Sequence, residues 1–440
     1  MKLLFLYPNA DRELIGAGDM GAIAEPLALE YLAASCEKFV SEMRLLDLRL
    51  HPDDLDRVLN EFSPDVVAIT GYSMHVIRII KLTEIIKEYR PRIRTVVGGH
   101  HATLLPEDFK KDSIDFIVCG EGTKPFSNLI LRLSQEDGVD SIPGVWKKKD
   151  NGWIFGGEQG EFVLDEIIRP NREITALDRC SYFIDWMKPI ALMRTTVGCP
   201  YRCSFCSLWR IMDGQYYKRD MEAVVEELKT ISEPYIFLVD DEPFINSKRM
   251  DALAELIIES KVNKEYFSYC RIDTLLKNRK TIERWMEAGL RRVFLGIEGV
   301  TAKEMSDFNK RLSIIDVERG LKAAREMGLK VFASFIVSPS YTRTDFKQLT
   351  RFIERNRIDY PSFTILTPLP GTDAFNSEYK NITEWQKNGR PDWSKWDLQH
   401  LVLPSTLSRK DFEREYSLLR KNCKGAYDVY QRKASLELRS

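Results

Sequence analysis

Apolar and polar positions along the chain follow two periods. Short runs rich in apolar residues recur at Lys2–Tyr7, Met43–Leu48, Asp65–Gly71, Ile93–Val97 and Ile114–Gly120. A strand with one wet face alternates apolar and polar residues, so a continuous run such as Val66–Ile69 predicts a strand covered on both faces. Between these runs apolar residues return every third or fourth position, at Leu27–Phe39, Pro52–Phe62, Val76–Tyr89 and Phe126–Leu133. That spacing belongs to helices with one buried face. Strand and helix in alternation predict a parallel sheet with right-handed crossovers, in the Rossmann-like or flavodoxin-like class.

The rhythm breaks over residues 136–185. The segment 144–157, GVWKKKDNGWIFGG, predicts a hairpin turning at Asp150-Asn151-Gly152, and the polar, proline-containing remainder reads as linker. From about residue 188 the alternation resumes. Strands are expected at Ala191–Val197, Tyr235–Val239, Tyr266–Arg271, Arg292–Gly296, Val331–Val337 and Ser362–Thr367. Helices are expected between them at Met221–Ile231, Met250–Lys261, Thr281–Ala288, Ile315–Met327 and Arg343–Asn356. Six strand–helix units predict an open, partial (β/α)6 barrel rather than a closed eightfold one. The expected organisation is therefore a Rossmann-like domain at 1–140, a linker with a hairpin at 141–187 and a barrel at 188–375. A mainly helical C-terminal cap at 376–440 completes it, carrying Trp385, Trp393, Trp396 and a helix near Arg409–Asn422.

Composition narrows the function classes. Hydrophobic residues make up 44% and charged residues 30%, the balance of a globular α/β protein. Lys and Arg total 65 against 66 Asp and Glu, a net charge of -1. That lacks the basic excess of a chain that grips nucleic acid by its backbone, and no nucleic-acid partner is expected. No apolar run is long enough to span a bilayer, and the start MKLLFLYPN is too short for a signal peptide, so the expectation is a cytoplasmic protein with reduced cysteines. Of the eight cysteines, Cys36, Cys119, Cys180, Cys270 and Cys423 are scattered and read as small core residues.

The other three form Cys199-Pro-Tyr-Arg-Cys203-Ser-Phe-Cys206, directly after the first strand of the second half. Three thiolates on one loop can converge on an inorganic centre. A closed zinc site wants four protein ligands, and the histidines, at 51, 75, 100, 101 and 400, are all distant in sequence. A [4Fe–4S] cluster held by three cysteines keeps one iron open for a ligand. A chance grouping of thiols and a zinc site are the competing readings.

This C-x3-C-x2-C loop, ending the first strand of a sixfold barrel, resembles the radical S-adenosylmethionine (SAM) superfamily. The resemblance implies that Cys199, Cys203 and Cys206 hold [4Fe–4S] and that the open iron chelates S-adenosyl-L-methionine. It places Phe205 near the adenine, and Asp240, Asp241 and Glu242, ending the second strand, at the methionyl amino group. Carboxylates suit an ammonium, which donates hydrogen bonds and carries charge. Arg271 and Glu298 in Gly296-Ile-Glu-Gly299 match positions that line the SAM site, with Ser334 and Ser338, on the fifth strand, weaker matches. Thr367-Pro-Leu-Pro-Gly-Thr372 also looks like this family.

In the first half, Gly16-Ala-Gly18-Asp-Met-Gly21 matches a dinucleotide fingerprint, with Asp47 as a candidate ribose acid. The context is wrong: the glycines neither follow the strand directly nor open the helix, so a loop is expected. Asp65–Ser73, then Val96-Val-Gly98-Gly99-His100-His-Ala-Thr103 with Pro106, then Gly120-Glu121-Gly122 resemble the cobalamin-binding domain of B12-dependent radical SAM enzymes. Small residues at strand ends let a large ligand approach the backbone. By this resemblance Ser73, Gly98, Gly99 and Glu121 border the nucleotide tail of cobalamin. The Asp-x-His-x-x-Gly motif that gives cobalt a histidine is absent, since Asp47-Leu-Arg-Leu-His51 does not fit it. His75, His100 and His101 read as structural or surface residues.

The resemblance implies a cobalamin-dependent methyltransferase that acts on an unactivated carbon. In the family a 5′-deoxyadenosyl radical, made by reductive cleavage of SAM, takes hydrogen from the substrate. Methylcobalamin then supplies the methyl group. The alternatives are radical ring closure, rearrangement or oxidation without methyl transfer, and a non-enzymatic metal- or corrinoid-binding module. Expected partners are a small-molecule or peptide substrate and an electron donor such as flavodoxin or ferredoxin. Trp393, Trp396 and His400 are candidates for a substrate pocket, with packing the competing role for the tryptophans.

Overall fold

The computed structural model of the chain describes residues 1–10, 21–135, 139, 141–150, 152–160 and 169–423. Among these, two compact units separate: one of 1–10, 25–181 and 392–397, the other of 21–24, 182–391 and 398–423.

The first unit is built on a sheet of seven strands in the order Glu42–Asp47, Lys2–Tyr7, Val66–Thr70, Arg94–Gly98, Phe116–Val118, Val145–Lys149, Gly152–Phe155. The first five are parallel. Leu3, Leu4, Phe5 and Leu6 are all wholly buried. Successive strand side chains face opposite ways, so both faces of this strand are covered, as the unbroken apolar run requires. Helices Leu27–Cys36 and Thr123–Ser134 cover the face that holds Leu3 and Phe5. Phe5 and Phe126 meet there with ring centroids 5.8 Å apart.

The hairpin exists, but it belongs to the sheet. Val145–Lys149 pairs antiparallel with Phe116–Val118, and Trp146 stacks on Phe155 at 4.9 Å. Asn151 of the expected turn lies outside the described residues. Part of the expected linker is likewise ordered packing. Arg179 donates to Glu25 at 2.8 Å, Arg172 donates to Glu25 and Glu30, and the Thr175 hydroxyl donates to Glu30 at 2.6 Å. Burial and the neighbouring Glu25 push Glu30 up to about 8.

The second unit holds six parallel strands in chain order: Ile190–Met193, Tyr235–Leu238, Glu265–Cys270, Leu290–Glu298, Lys330–Val337 and Tyr360–Ile365. No pairing joins the first to the last among the described residues, so the barrel is partial. Helices Ser247–Glu259, Arg279–Ala288, Ile314–Glu326 and Arg343–Asn356 bury Leu253, Trp285, Leu321 and Leu349 in the same core as strand residues Ile236, Val293 and Phe335. Alternate strand positions stack rings on one another: Phe237 on Phe267 at 4.5 Å, Phe267 against Phe332 at 4.9 Å, Phe332 on Tyr360 at 4.6 Å.

Near the end of the described residues, helix Arg409–Cys423 docks on the barrel through Phe412 against Phe346 at 5.5 Å. Trp393 and Trp396 are 2% and 1% exposed and pack in the first unit, with Trp393 set edge-on against His101 at 4.6 Å. No helix among the described residues is long and apolar enough to cross a membrane.

Candidate functional site

The cysteine loop starts where strand Ile190–Met193 ends, and it is shaped by the acidic end of the next strand. Asp240 is wholly buried. Its Oδ1 accepts from the backbone N–H groups of Thr195 and Thr196 at 2.6 Å, and its Oδ2 accepts from the Thr195 hydroxyl at 2.7 Å. Both oxygens are thus used by the loop, and Asp240 presents none to a ligand. Asp241 accepts from Gly198 N–H at 2.9 Å; burial pushes it up to about 6. Gly198 has φ +89°, and a Cβ there would lie 2.2 Å from the Gln215 carbonyl oxygen, so only glycine fits before Cys199.

Glu242 behaves differently from its two neighbours. It is 1% exposed, and its Oε1 has no hydrogen-bond partner. Burial pushes it up to about 8 against the opposing charge of Arg271. An unpartnered buried carboxylate oxygen costs about 1–3 kcal/mol and fits an incoming ammonium.

Cys199, Cys203 and Cys206 are all unpaired thiols. Burial pushes Cys199 up to about 12 and Cys206 to about 11. Among the described residues no three His, Cys, Asp or Glu side chains are grouped to hold one metal ion. Three free thiols on one loop fit the donor set of a [4Fe–4S] cluster, in which each sulfur takes its own iron. The Arg271 Nη1 approaches Cys203 Sγ at 3.9 Å, and its guanidinium lies 3.8 Å from the centre of the Tyr201 ring.

Beside the loop the barrel encloses a cavity of about 320 Å³. Phe205, Phe237, Phe267, Tyr269, Phe294 and Ile336 form much of its wall. Glu298 is the one charged residue in the lining, with Ser334 beside it. The Ser334 hydroxyl donates to Glu298 Oε2 at 3.3 Å, and Lys310 Nζ donates to Oε1 at 3.2 Å. Of the remaining expectations, Thr367 lines the cavity, and Ser338 bonds Ser340 at 2.8 Å instead. Lys310 carries no local motif, and sequence reasoning missed it.

At the strand ends of the first sheet, Gly99 has φ +103°, and a Cβ there would sit 2.6 Å from the Gly71 carbonyl oxygen. Gly98 pairs in register with Thr70. Both glycines keep part of their main chain accessible. Ser73 and Glu121 are engaged locally. Ser73 Oγ bonds His101 Nδ1 at 2.9 Å, and His101 Nε2 bonds Asp108 at 3.0 Å. Glu121 accepts from Thr123 N–H at 3.0 Å, tying down the start of a helix. Burial lowers the pKa of His101 against the pull of Asp108. His75 is buried and accepts from Tyr72 N–H at 3.0 Å, while His100 is exposed. Gly16 and Gly18 of the fingerprint lie outside the described residues. The Asp47 carboxylate is taken by Arg49, at 2.9 and 2.6 Å, and so does not serve a ribose.

Residues 14–130 match the B12 binding domain family, and residues 193–353 match the radical SAM superfamily. A hopanoid C-3 methylase of Methylococcus capsulatus is 31% identical over 400 residues, spanning 89% of this chain and 75% of that protein. An anaerobic magnesium-protoporphyrin IX monomethyl ester cyclase of Rubrivivax gelatinosus is 25% identical over 394 residues, spanning 85% and 69%. The fold is similar to that of TsrM from Kitasatospora setae, a radical S-adenosylmethionine methyltransferase solved with cobalamin and a [4Fe–4S] cluster. The TM-score is 0.67 at 18% identity, over 94% of this chain and 81% of that one. With both domain families in this order, and a relative above 30% identity along most of its length, the chain belongs to the radical SAM superfamily, among the enzymes that carry a B12 binding domain.

Proposed function

We propose that this enzyme, a cobalamin-dependent radical SAM methyltransferase, methylates an unactivated carbon of an apolar, ring-rich substrate. The barrel cavity carries the proposal. Its wall is aromatic and aliphatic around one carboxylate, so a ligand there gains by burying hydrocarbon. The hopanoid methylase relative, which by name acts on such a skeleton, supports it.

Cys199, Cys203 and Cys206 are the residues to hold the cluster, with the Glu242 carboxylate as acceptor for the SAM ammonium. Bound together, cluster and SAM supply a carbon-centred radical, and cobalamin supplies the methyl group. The protein's own part is to bind, orient and exclude water. Asp240 and Asp241 fix the backbone that presents the cysteines. The ring-lined wall keeps water from the reacting carbon. Gly98 and Gly99 admit the corrinoid to the backbone, while Ser73 and Glu121 act there through the hydrogen bonds they already make. Flavodoxin or ferredoxin serves as reductant, in a cytoplasmic setting that keeps the thiols reduced.

The test is anaerobic incubation of the reconstituted chain with SAM, hydroxocobalamin, a strong reductant and a pentacyclic triterpene. The expected products are 5′-deoxyadenosine, S-adenosylhomocysteine and a triterpene heavier by one methylene. Ring closure or oxidation without methyl transfer draws on the cyclase relative. Deoxyadenosine formed without S-adenosylhomocysteine would give that second reading precedence.

A further inference from the structure

Lys310 is a buried cation outside every motif in the sequence, 5% exposed. Taking an ammonium out of water costs several kcal/mol unless it is paired. Its partner is Glu298, at 3.2 Å. The barrel strand is distorted where it carries Glu298. Register shifts between Gly296 and Glu298, and Glu298 itself sits at φ +70°, a conformation that L residues rarely adopt. A Cβ at Gly296 would come within 2.6 Å of Glu298 Oε1 and 3.0 Å of Lys310 Nζ. The lysine's own segment is equally forced, with Asn309 at φ +49° and Arg311 at φ +55° on either side.

The same segment grips the cysteine loop. Ser204 N–H donates to the Phe308 carbonyl at 3.2 Å, and the Ser204 hydroxyl donates to the Asp307 carbonyl at 2.8 Å. The Asn309 side chain donates to the Arg202 carbonyl at 2.8 Å. Phe205 meets Phe308 edge to face at 5.6 Å. Arg271 donates to the Lys310 carbonyl at 2.9 Å while its other nitrogen faces Cys203. Glu298 and Ser334 line the cavity, so the pair has a face toward a ligand.

We propose that Lys310 is a positioning residue of the barrel site: its ammonium fixes the Glu298 carboxylate in the cavity wall, and its main chain braces the cysteine loop. One residue thereby sets the spacing between the cluster end and the far wall of the pocket. The proposal rests on reading the Glu298 end of the cavity as the one for cluster and SAM, with the substrate along the aromatic wall.

The test uses the full chain with Lys310→Met and Lys310→Arg, each reconstituted with iron and sulfide. Iron content and the SAM dissociation constant, by equilibrium dialysis without reductant, are the readouts. Lys310→Met is expected to keep wild-type iron content, because the bracing is by main chain. It should bind SAM about tenfold more weakly or worse, since about 1.4 kcal/mol is a factor of ten. Lys310→Arg, which keeps the charge, is expected to recover most of that loss. Wild-type SAM affinity in Lys310→Met would overturn the proposal. Equal loss of iron in both variants would also overturn it, by showing a role in holding the loop alone. A wild-type chain that takes up no iron and binds no SAM would instead overturn the site reading beneath it.

Discussion

The two parallel sheets finish their strands in opposite ways. In the first unit the strand ends shed side chains: Gly71 is buried, while Gly98, Gly99 and Gly120 keep part of their backbone accessible. In the barrel the strand ends accumulate them: the cysteine loop, Asp240, Glu242, Arg271 and Glu298. Hydrogen bonds tie Asp240 and Arg271 to the loop and Glu298 to Lys310. A broad ligand needs surface cleared for it, and its contacts are spread thinly over main chain. A compact inorganic centre with a small charged ligand needs side chains at set distances, and those must be braced.

Substitutions should therefore fail differently in the two units. The largest effect is expected at Cys203→Ala: iron content falls and 5′-deoxyadenosine formation drops below detection, while the far-ultraviolet circular dichroism keeps its wild-type shape. Next is Asp240→Ala, which leaves three buried donors without an acceptor at about 1–3 kcal/mol each. It should lower the melting temperature and iron retention together. Gly99→Val puts a branched side chain at a positive φ, at a cost of about 1–3 kcal/mol, and against the Gly71 carbonyl. Hydroxocobalamin uptake should be lost while iron content stays at the wild-type level. Loss of both would break the contrast between the units.

The smallest effect is expected at Glu30. The folded chain holds a proton on this residue up to pH about 8, whereas the unfolded chain releases it near the ordinary value of 4.5. Its contribution to stability is therefore full at low pH and is lost as pH rises toward about 8. Glu30→Gln, which cannot titrate, should show a shallower fall of melting temperature than wild type across that range.

The same contrast governs what could be read from the sequence. Buried strands announce themselves as unbroken apolar runs, so both sheets were legible. The cysteines were legible because all three lie within one short stretch. The bracing was not, because it joins distant positions: Arg271 reaches Cys203 across 68 residues, and Asn309 reaches Arg202 across 107. The hairpin was visible, but its partner strand was not, since pairing depends on register rather than composition. Trp393 against His101 had no periodicity to betray it. Ser73 and Glu121, which the family resemblance puts beside cobalamin, each already have a neighbour to bond. Asp240 shows the same limit, because a motif names a residue type without saying which way it faces.

Asp240 also bears on recovery from damage by oxygen. The groups that fasten Thr195 and Thr196 to it are oxygen and nitrogen atoms, and none of them needs iron to stay in place. A chain whose cluster has been oxidised away keeps the first part of the loop in its working shape. Refilling the site with iron and sulfide should then need no refolding of this segment.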